Sequence, residues 1–147
     1  IYSDLHADVI RAVVFSFDSN LILTGSYDCT MKLFQVNPLK EIRVFKEHEQ
    51  AVLSVAFSPD AELALSGGQD HKVFLFKVSS GVLLRSFSNN FGEVRSVAFC
   101  PKGAKILTGS MDGQVNLYDV YQTQRQISFT KHTESIRAIG NLRLFLF

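Results

Sequence analysis

Apolar positions along the chain follow two periods at once, a short one of two residues and a long one of 42. The short period is seen in Val73-x-Leu75 and Val115-x-Leu117, within runs rich in β-branched and aromatic residues. Turn residues such as Asp18-Ser19-Asn20 separate these runs at intervals of roughly ten positions. The pattern predicts four strands per unit, at about 10–16, 21–26, 31–36 and 41–46 in the first unit, and no helix.

The long period relates whole segments of the chain to one another. The run VLSVAFSP at 52–59 recurs as VRSVAFCP at 94–101 and more loosely as IRAVVFSF at 10–17. Further columns share the spacing: Gly25, Gly67 and Gly109; Asp28, Asp70 and Asp112; Phe34, Phe76 and Tyr118; Phe45, Phe87 and Phe129. The predicted units are 6–47, 48–89 and 90–131, with an incomplete repeat at 132–139 and a divergent tail at 140–147. Because one four-stranded sheet cannot bury both faces alone, consecutive sheets are predicted to stack.

The middle unit carries the most complete set of motifs. It has His48 at its start, then Ala56-Phe57-Ser58-Pro59-Asp60, Ser66-Gly67-Gly68-Gln69-Asp70 and Phe76. With these motifs the chain resembles the WD-repeat β-propeller family over about residues 6–139. The resemblance implies an all-β fold of β-propeller blades, four-stranded antiparallel sheets in an incomplete ring. The chain departs from the family pattern in having no Trp, with Phe34, Phe76 and Tyr118 at the Trp column.

The resemblance also implies a hydrogen-bonded structural network in each blade. Its members are an opening His, a Ser or Thr of the second strand, the turn Asp and the aromatic residue of the third strand. Residue by residue, these are His6, Thr24 or Ser26, Asp28 and Phe34; His48, Ser66, Asp70 and Phe76; and Asn90, Thr108 or Ser110, Asp112 and Tyr118. A phenyl ring has no N–H, so the first two blades lose the aromatic donor while Tyr118 keeps a hydroxyl.

Catalytic, metal-binding or phosphate-binding interpretations of these residues are less well supported than the structural network. His48, Ser66 and Asp70 have the residue types of a hydrolase triad, but catalytic sites do not recur once per blade. His6, His48 and His132 lie on separate sheets without ligand spacing, and no helix follows Gly67-Gly68 to bind a phosphate. We therefore expect no catalytic residue, no metal ligand and no cofactor, and hence no enzyme.

The 13 phenylalanines raise the question of a stacking platform for nucleic acid. Two columns, Phe15/Phe57/Phe99 and Phe45/Phe87/Phe129, instead predict a packed core. Phe17, Phe74 and Phe91 stand outside the columns and are candidates for exposed apolar positions.

Partner binding is predicted at columns that vary between blades. In the family, the residue after the first apolar position of the first strand and the residue before the turn Asp face the rim of the central channel. These predicted rim residues are Arg11, Leu53, Arg95 and Arg137, and Tyr27, Gln69 and Met111. Arginine and aromatic residues are enriched at protein-binding hot spots, so the predicted partners are other proteins or peptides, acidic or phosphorylated ones in particular.

Composition limits the classes of partner and the cellular compartment that we expect for this chain. Fifteen Lys and Arg against 14 Asp and Glu give a net charge of +1, which provides no global field toward nucleic acid or membrane. Cys29 and Cys100 lack the spacing of a disulfide scaffold or a zinc site, which predicts an intracellular protein of the cytoplasm or nucleus. No run reaches the ~20 apolar residues of a membrane span, and no leader opens the chain.

The initial Ile1 and the apolar end 142–147 suggest a piece of a longer protein, and open blade edges predict self-association.

The sequence thus predicts a non-catalytic protein-interaction scaffold. One alternative is an RNA- or chromatin-associated WD-repeat subunit of a larger complex that uses Arg11, Arg95 and Arg137, which a steep salt dependence of binding would reveal. Another alternative is a truncated, non-functional fragment.

Overall fold

The computed structural model of the chain describes residues 5–88, 92–122, 125–129 and 136–137. These residues contain twelve strands and no helix: β1 (Ile10–Phe15), β2 (Leu21–Ser26), β3 (Met31–Gln35), β4 (Lys40–Phe45), β5 (Val52–Phe57), β6 (Leu63–Gly68), β7 (Val73–Lys77), β8 (Leu83–Phe87), β9 (Val94–Phe99), β10 (Lys105–Ser110), β11 (Val115–Asp119) and β12 (Arg125–Phe129). Within these ranges, no segment forms a helix of the length and apolarity that a bilayer crossing requires.

The strands form three four-stranded antiparallel sheets, ordered β1-β2-β3-β4, β5-β6-β7-β8 and β9-β10-β11-β12. Each sheet is a meander in which every strand pairs with its neighbour in sequence, and its strands lie within one 42-residue unit. The predicted all-β class and the predicted four strands per blade are confirmed. Over the described residues, the three sheets do not close into a ring.

Two apolar clusters hold the three blades together, one between each pair of consecutive sheets. The first joins Leu33 and Phe45 of blade 1 to Val55 and Phe76 of blade 2, and the second joins blade 2 to Tyr118 of blade 3 in the same way. Each cluster draws on the repeated columns of two units, because one sheet supplies only half of an interface.

Glycines let the backbones of adjacent blades come close. A Cβ placed on Gly67 would lie 2.7 Å from Cγ1 of Val94 and 2.8 Å from Cγ1 of Val97. Both valines lie on β9, the first and innermost strand of the next blade. The equivalent Gly25 stands in the same relation to Val52 and Val55. The glycine column therefore marks the contact between blades.

Some of the phenylalanine predictions are wrong. Phe15 was expected in the core but is 55% exposed, because no sheet among the described residues covers its face of blade 1, whereas the equivalent Phe99 is 2% exposed. Phe74 was a candidate for exposure but is buried between blades 1 and 2. Phe17 is exposed as expected, and Phe91 lies outside the described residues.

An arginine of the fourth, outermost strand links blade 1 to blade 2 and blade 2 to blade 3. Arg43 Nη2 donates to the Ser79 carbonyl at 3.2 Å, and Arg85 Nη2 donates to the Tyr121 carbonyl at 2.9 Å. The two bonds are one repeat apart, so they form a periodic clamp between blades at the outer edge. The third unit has Ile127 at the arginine column, and its side chain is 47% exposed.

We expect Arg85→Ala to lower the free energy of unfolding by about 1 kcal/mol, because the variant loses one charge-assisted hydrogen bond and the packing of the arginine stem. Urea unfolding followed by circular dichroism measures this difference. Arg11→Ala, which removes an exposed arginine of blade 1, is the matched control and should change the value by less than about 0.5 kcal/mol. Equal losses in both variants would contradict the clamp.

Candidate functional site

The network of blade 2 joins His48, Ser66 and Asp70, and all three side chains are buried. His48 Nδ1 lies 2.9 and 3.0 Å from the two carboxylate oxygens of Asp70, and His48 Nε2 lies 2.9 Å from Ser66 Oγ. Because a carboxylate only accepts, the ring donates from Nδ1, and in the neutral tautomer that this requires, Nε2 is the acceptor for Ser66 Oγ. Backbone N–H groups of Glu49 and Lys72 also donate to Asp70. The edge of the ring meets Phe74, with centroids 4.6 Å apart.

Blade 1 repeats this network with threonine. His6 Nδ1 donates to Asp28 Oδ2 at 2.8 Å, and Thr24 Oγ1 lies 2.6 Å from His6 Nε2. Thr24 is thus the partner of the histidine, while Ser26 donates to the Asp8 carbonyl. Burial would raise the pKa of Asp28, but hydrogen bonds from Thr30, His6 and nearby backbone N–H groups outweigh it and lower the pKa to about 2.

The depressed pKa of Asp28 gives a pH-dependent prediction. Its ionised form stabilises the fold above the ordinary pKa of 3.8, and this contribution disappears as the pH falls through about 2. We expect Asp28→Asn to lower the free energy of unfolding by about 2 kcal/mol at neutral pH, and the difference from wild type to shrink progressively below pH ~4.

Urea unfolding at a series of pH values tests this expectation. Glu47→Gln, which replaces an exposed carboxylate, is the control and should differ from wild type by less than about 0.5 kcal/mol throughout. A constant difference between Asp28→Asn and wild type down to pH ~2 would contradict the role of the ionised carboxylate.

Blade 3 shows a different arrangement at the matching positions. Ser110 Oγ donates to Asp112 Oδ1, and the Gln114 N–H donates to the same oxygen at 3.1 Å. Tyr118 is fully buried against Phe87, with ring centroids 4.8 Å apart. Asn90 lies outside the described residues.

The network in blade 2 has the hydrogen-bond connectivity of a hydrolase triad without its accessibility. Ser66 is fully buried, and the side chains of His48 and Asp70 are each 3% exposed, so a substrate cannot approach the hydroxyl. No three His, Cys, Asp or Glu side chains within the described ranges are placed to hold a metal ion, and His132 lies outside those ranges.

Three of the predicted rim residues owe their position to a β-bulge that recurs in each of the three described blades. In each innermost strand the pairing with the second strand skips one residue, which is Arg11 in β1, Leu53 in β5 and Arg95 in β9. A bulged residue is left out of the ladder and its side chain is re-aimed. The same backbone irregularity therefore presents two arginines and one leucine at the amino ends of the innermost strands.

These side chains meet in one groove of about 80 Å³ that spans the three blades. We call it the rim groove, and it is lined by Arg11, Tyr27, Leu53, Gln69, Glu93 and Arg95. Two other predicted rim residues lie apart from this lining. Met111 contacts Arg95 through its sulfur at 3.7 Å and is half exposed, and Arg137 is exposed.

Glu93 is the lining residue that sequence reasoning missed. Gln69 Nε2 donates to Glu93 Oε1 at 3.0 Å, and Arg95 donates to Oε2 from Nη2 at 2.9 Å and from Nε at 3.2 Å. The bond from Gln69, followed by the bond and charge of Arg95, lowers the pKa of Glu93 below its ordinary value. A signal was present in the sequence, since Val9 and Ala51 occupy the same column in the other blades.

A larger apolar groove of about 340 Å³ lies at the opposite, carboxyl ends of the innermost strands. It is lined by Phe15, Phe17, Phe57, Pro59 and Pro101, among others. Most of its lining comes from the repeated columns, whereas the rim groove is built from columns that differ between blades.

The chain consists of stacked four-stranded meanders, and each packs on the next through a repeated apolar core. Blades 1 and 2 contain a buried His–Asp pair, and blade 3 has a Ser–Asp pair at the matching turn. These features define the class of β-propeller blades. The family model described as "WD domain, G-beta repeat" matches residues 4–35, 39–77 and 81–119. The chain therefore belongs to the WD-repeat family. The second and third matches each begin one or two residues before the fourth strand of one sheet and end on the third strand of the next.

Solved structures give the same fold. Two similar ones, described as "Structure of U3-55K" and "Crystal structure of RRP9 WD40 repeats", each have a TM-score of 0.86 at 21% identity. Each alignment covers 90% of this chain and 42% of the other, so the chain spans about two fifths of these structures' length. A comparison with curated proteins finds no significant match.

Proposed function

We propose that this chain is a non-catalytic protein-interaction scaffold that binds a partner peptide at the rim groove. The observation that carries the proposal is the convergence of Arg11, Leu53 and Arg95 through one recurring bulge. The bulge position is not needed for the ladder, and it holds a different side chain in the second blade. Stacked sheets hold such side chains in place, so a peptide binds with little ordering of the receptor.

The lining chemistry supports a protein partner. Tyr27 is 46% exposed beside the groove, and Leu53 adds an apolar surface between two arginines. Arginine and tyrosine supply much of the energy at protein interfaces. The partners we propose are proteins or peptides that carry acidic groups, inside the cell, where Cys29 and Cys100 remain free thiols.

The nucleic-acid alternative is less well supported. It needs several uncompensated cations along one surface, and Arg95 is already paired with Glu93 at 2.9 Å. Both similar structures are too distant in sequence to transfer more than their fold. Self-association through the open blade edges stays a prediction of the sequence.

A selection of random twelve-residue peptides on the immobilised chain tests the proposed function. We expect enriched peptides to lose at least about tenfold in affinity for the double variant Arg11→Ala/Leu53→Ser, because it removes one cation and the apolar centre of the groove. Its melting temperature should stay within about 2 °C of wild type, since neither side chain is buried. Arg95 is left in place because its removal would also free Glu93.

The double variant Lys77→Ala/Leu84→Ser, which changes an exposed lysine and an exposed leucine on the two outer strands of blade 2, is the matched control. It should bind the enriched peptides as wild type does. Failure to enrich any peptide, or equal binding by both double variants, would overturn the proposed function.

A further inference from the structure

The charges of the rim groove are not equally available to a ligand. Glu93 uses both oxygens inside the protein, one for Gln69 and one for Arg95, and its side chain is 21% exposed. Arg95 therefore enters the groove with its charge largely balanced. Arg11 is exposed and has no ion pair among the described residues.

Glu93 is particular to the third blade. The same column holds Val9 and Ala51 in the first two blades, so the bulged Arg11 has no equivalent carboxylate two residues before it. Among the lining residues, two arginines stand against one glutamate, which leaves a single net positive charge centred on Arg11. Tyr27, with its hydroxyl, and Leu53 complete the same groove.

This distribution of charge distinguishes between anionic ligands. A carboxylate carries one negative charge, which matches the uncompensated Arg11. A phosphoryl group carries about −1.5 to −2 charges at neutral pH, so it exceeds that charge, and the ionised Glu93 repels it more strongly than it repels a carboxylate. The groove's volume of about 80 Å³ admits the head group of one side chain, with the rest of a peptide on the surface.

We propose that the rim groove binds the side-chain carboxylate of an Asp or Glu in a partner peptide through Arg11, and that Glu93 determines specificity by excluding phosphorylated residues. The inference rests on the proposed function and names the ligand chemistry of that same groove. Glu93 acts through its own negative charge and through the ion pair that balances the charge of Arg95.

The test uses the whole chain and arrayed peptide libraries with random flanks, amidated C-termini and one fixed central residue: Glu, phosphoserine, Gln or Lys. Asp and Glu are left out of the flanks, so the fixed residue is the only carboxylate or phosphate. We expect wild type to retain the Glu library about fivefold better than the Gln or phosphoserine libraries. Arg11→Gln should abolish the preference for Glu over Gln.

Glu93→Gln is the decisive variant, because it keeps the shape of the side chain and removes its charge. We expect it to reduce the ratio of Glu to phosphoserine retention by about fivefold, with unchanged retention of the Gln library as evidence of an intact groove. Phosphoserine retained as well as Glu by wild type, an unchanged ratio in Glu93→Gln, or loss of every library in that variant would overturn the inference.

Two further outcomes separate the inference from the proposed function. A fifth library with a free C-terminus and central Gln, retained in preference to the Glu library, would assign the groove to a terminal carboxylate and overturn the side-chain proposal. Failure of wild type to retain any library, the Gln and Lys ones included, would overturn the proposed function itself.

Discussion

Replacing His48 by alanine is expected to lower the free energy of unfolding by about 3 kcal/mol. The ring bridges Asp70 and Ser66, whose side chains are buried, so its removal leaves a carboxylate and a hydroxyl without their partner. It also removes the ring that packs against Phe74, which leaves a void between blades 1 and 2. Urea unfolding followed by circular dichroism measures the loss.

Gln50→Ala is the control for this variant, because Gln50 is an exposed polar residue of the same loop. It should change the free energy of unfolding by less than about 0.5 kcal/mol. A loss below ~1 kcal/mol for His48→Ala would contradict the structural role of the network.

Replacing Gly67 by valine is expected to cost about 3 kcal/mol of unfolding free energy. Even the Cβ atom would lie 2.7 Å from Val94 Cγ1, and the two further methyl groups of valine enlarge the conflict. Because Val94 and Val97 belong to the innermost strand of the next blade, relief requires blades 2 and 3 to move apart and their shared core to loosen.

A graded series makes this prediction specific. Gly67→Ala should lose less than Gly67→Val, since it introduces only the first of the clashing atoms. Ser86→Val places the same residue at an exposed position of β8 and should change stability by less than about 0.5 kcal/mol. Similar losses for Gly67→Val and Ser86→Val would show that the contact between blades is not the cause.

The repeat could be predicted from the sequence because local sequence patterns specify its strands and turns. Period-two apolar runs and turn residues specify strands and hairpins, and the 42-residue spacing aligns these elements from unit to unit. The structure confirms the strands within one or two residues, as in β1 at Ile10–Phe15 and β4 at Lys40–Phe45. The third-strand aromatic column that the alignment of units identified, Phe34, Phe76 and Tyr118, is buried in the structure.

Contacts between blades were harder to anticipate. Phe15 and Phe99 occupy one column, yet the first is exposed and the second buried, because burial depends on whether another sheet covers that face. Phe74 stands outside the columns but is buried in the cluster between blades 1 and 2, because residues of two units share each core. Thr24 rather than Ser26 meets His6, a choice that the sequence left open.

The sequence alone determined the architecture and proposed most of the rim residues, since both depend on positions within one repeat. Only the tertiary structure decided how these residues combine. The bulge that turns Arg11, Leu53 and Arg95 toward one groove is a feature of strand pairing, and the bond from Gln69 to Glu93 joins two different blades. The free charge at the rim depends on this packing because an arginine's availability is set by its neighbours in space.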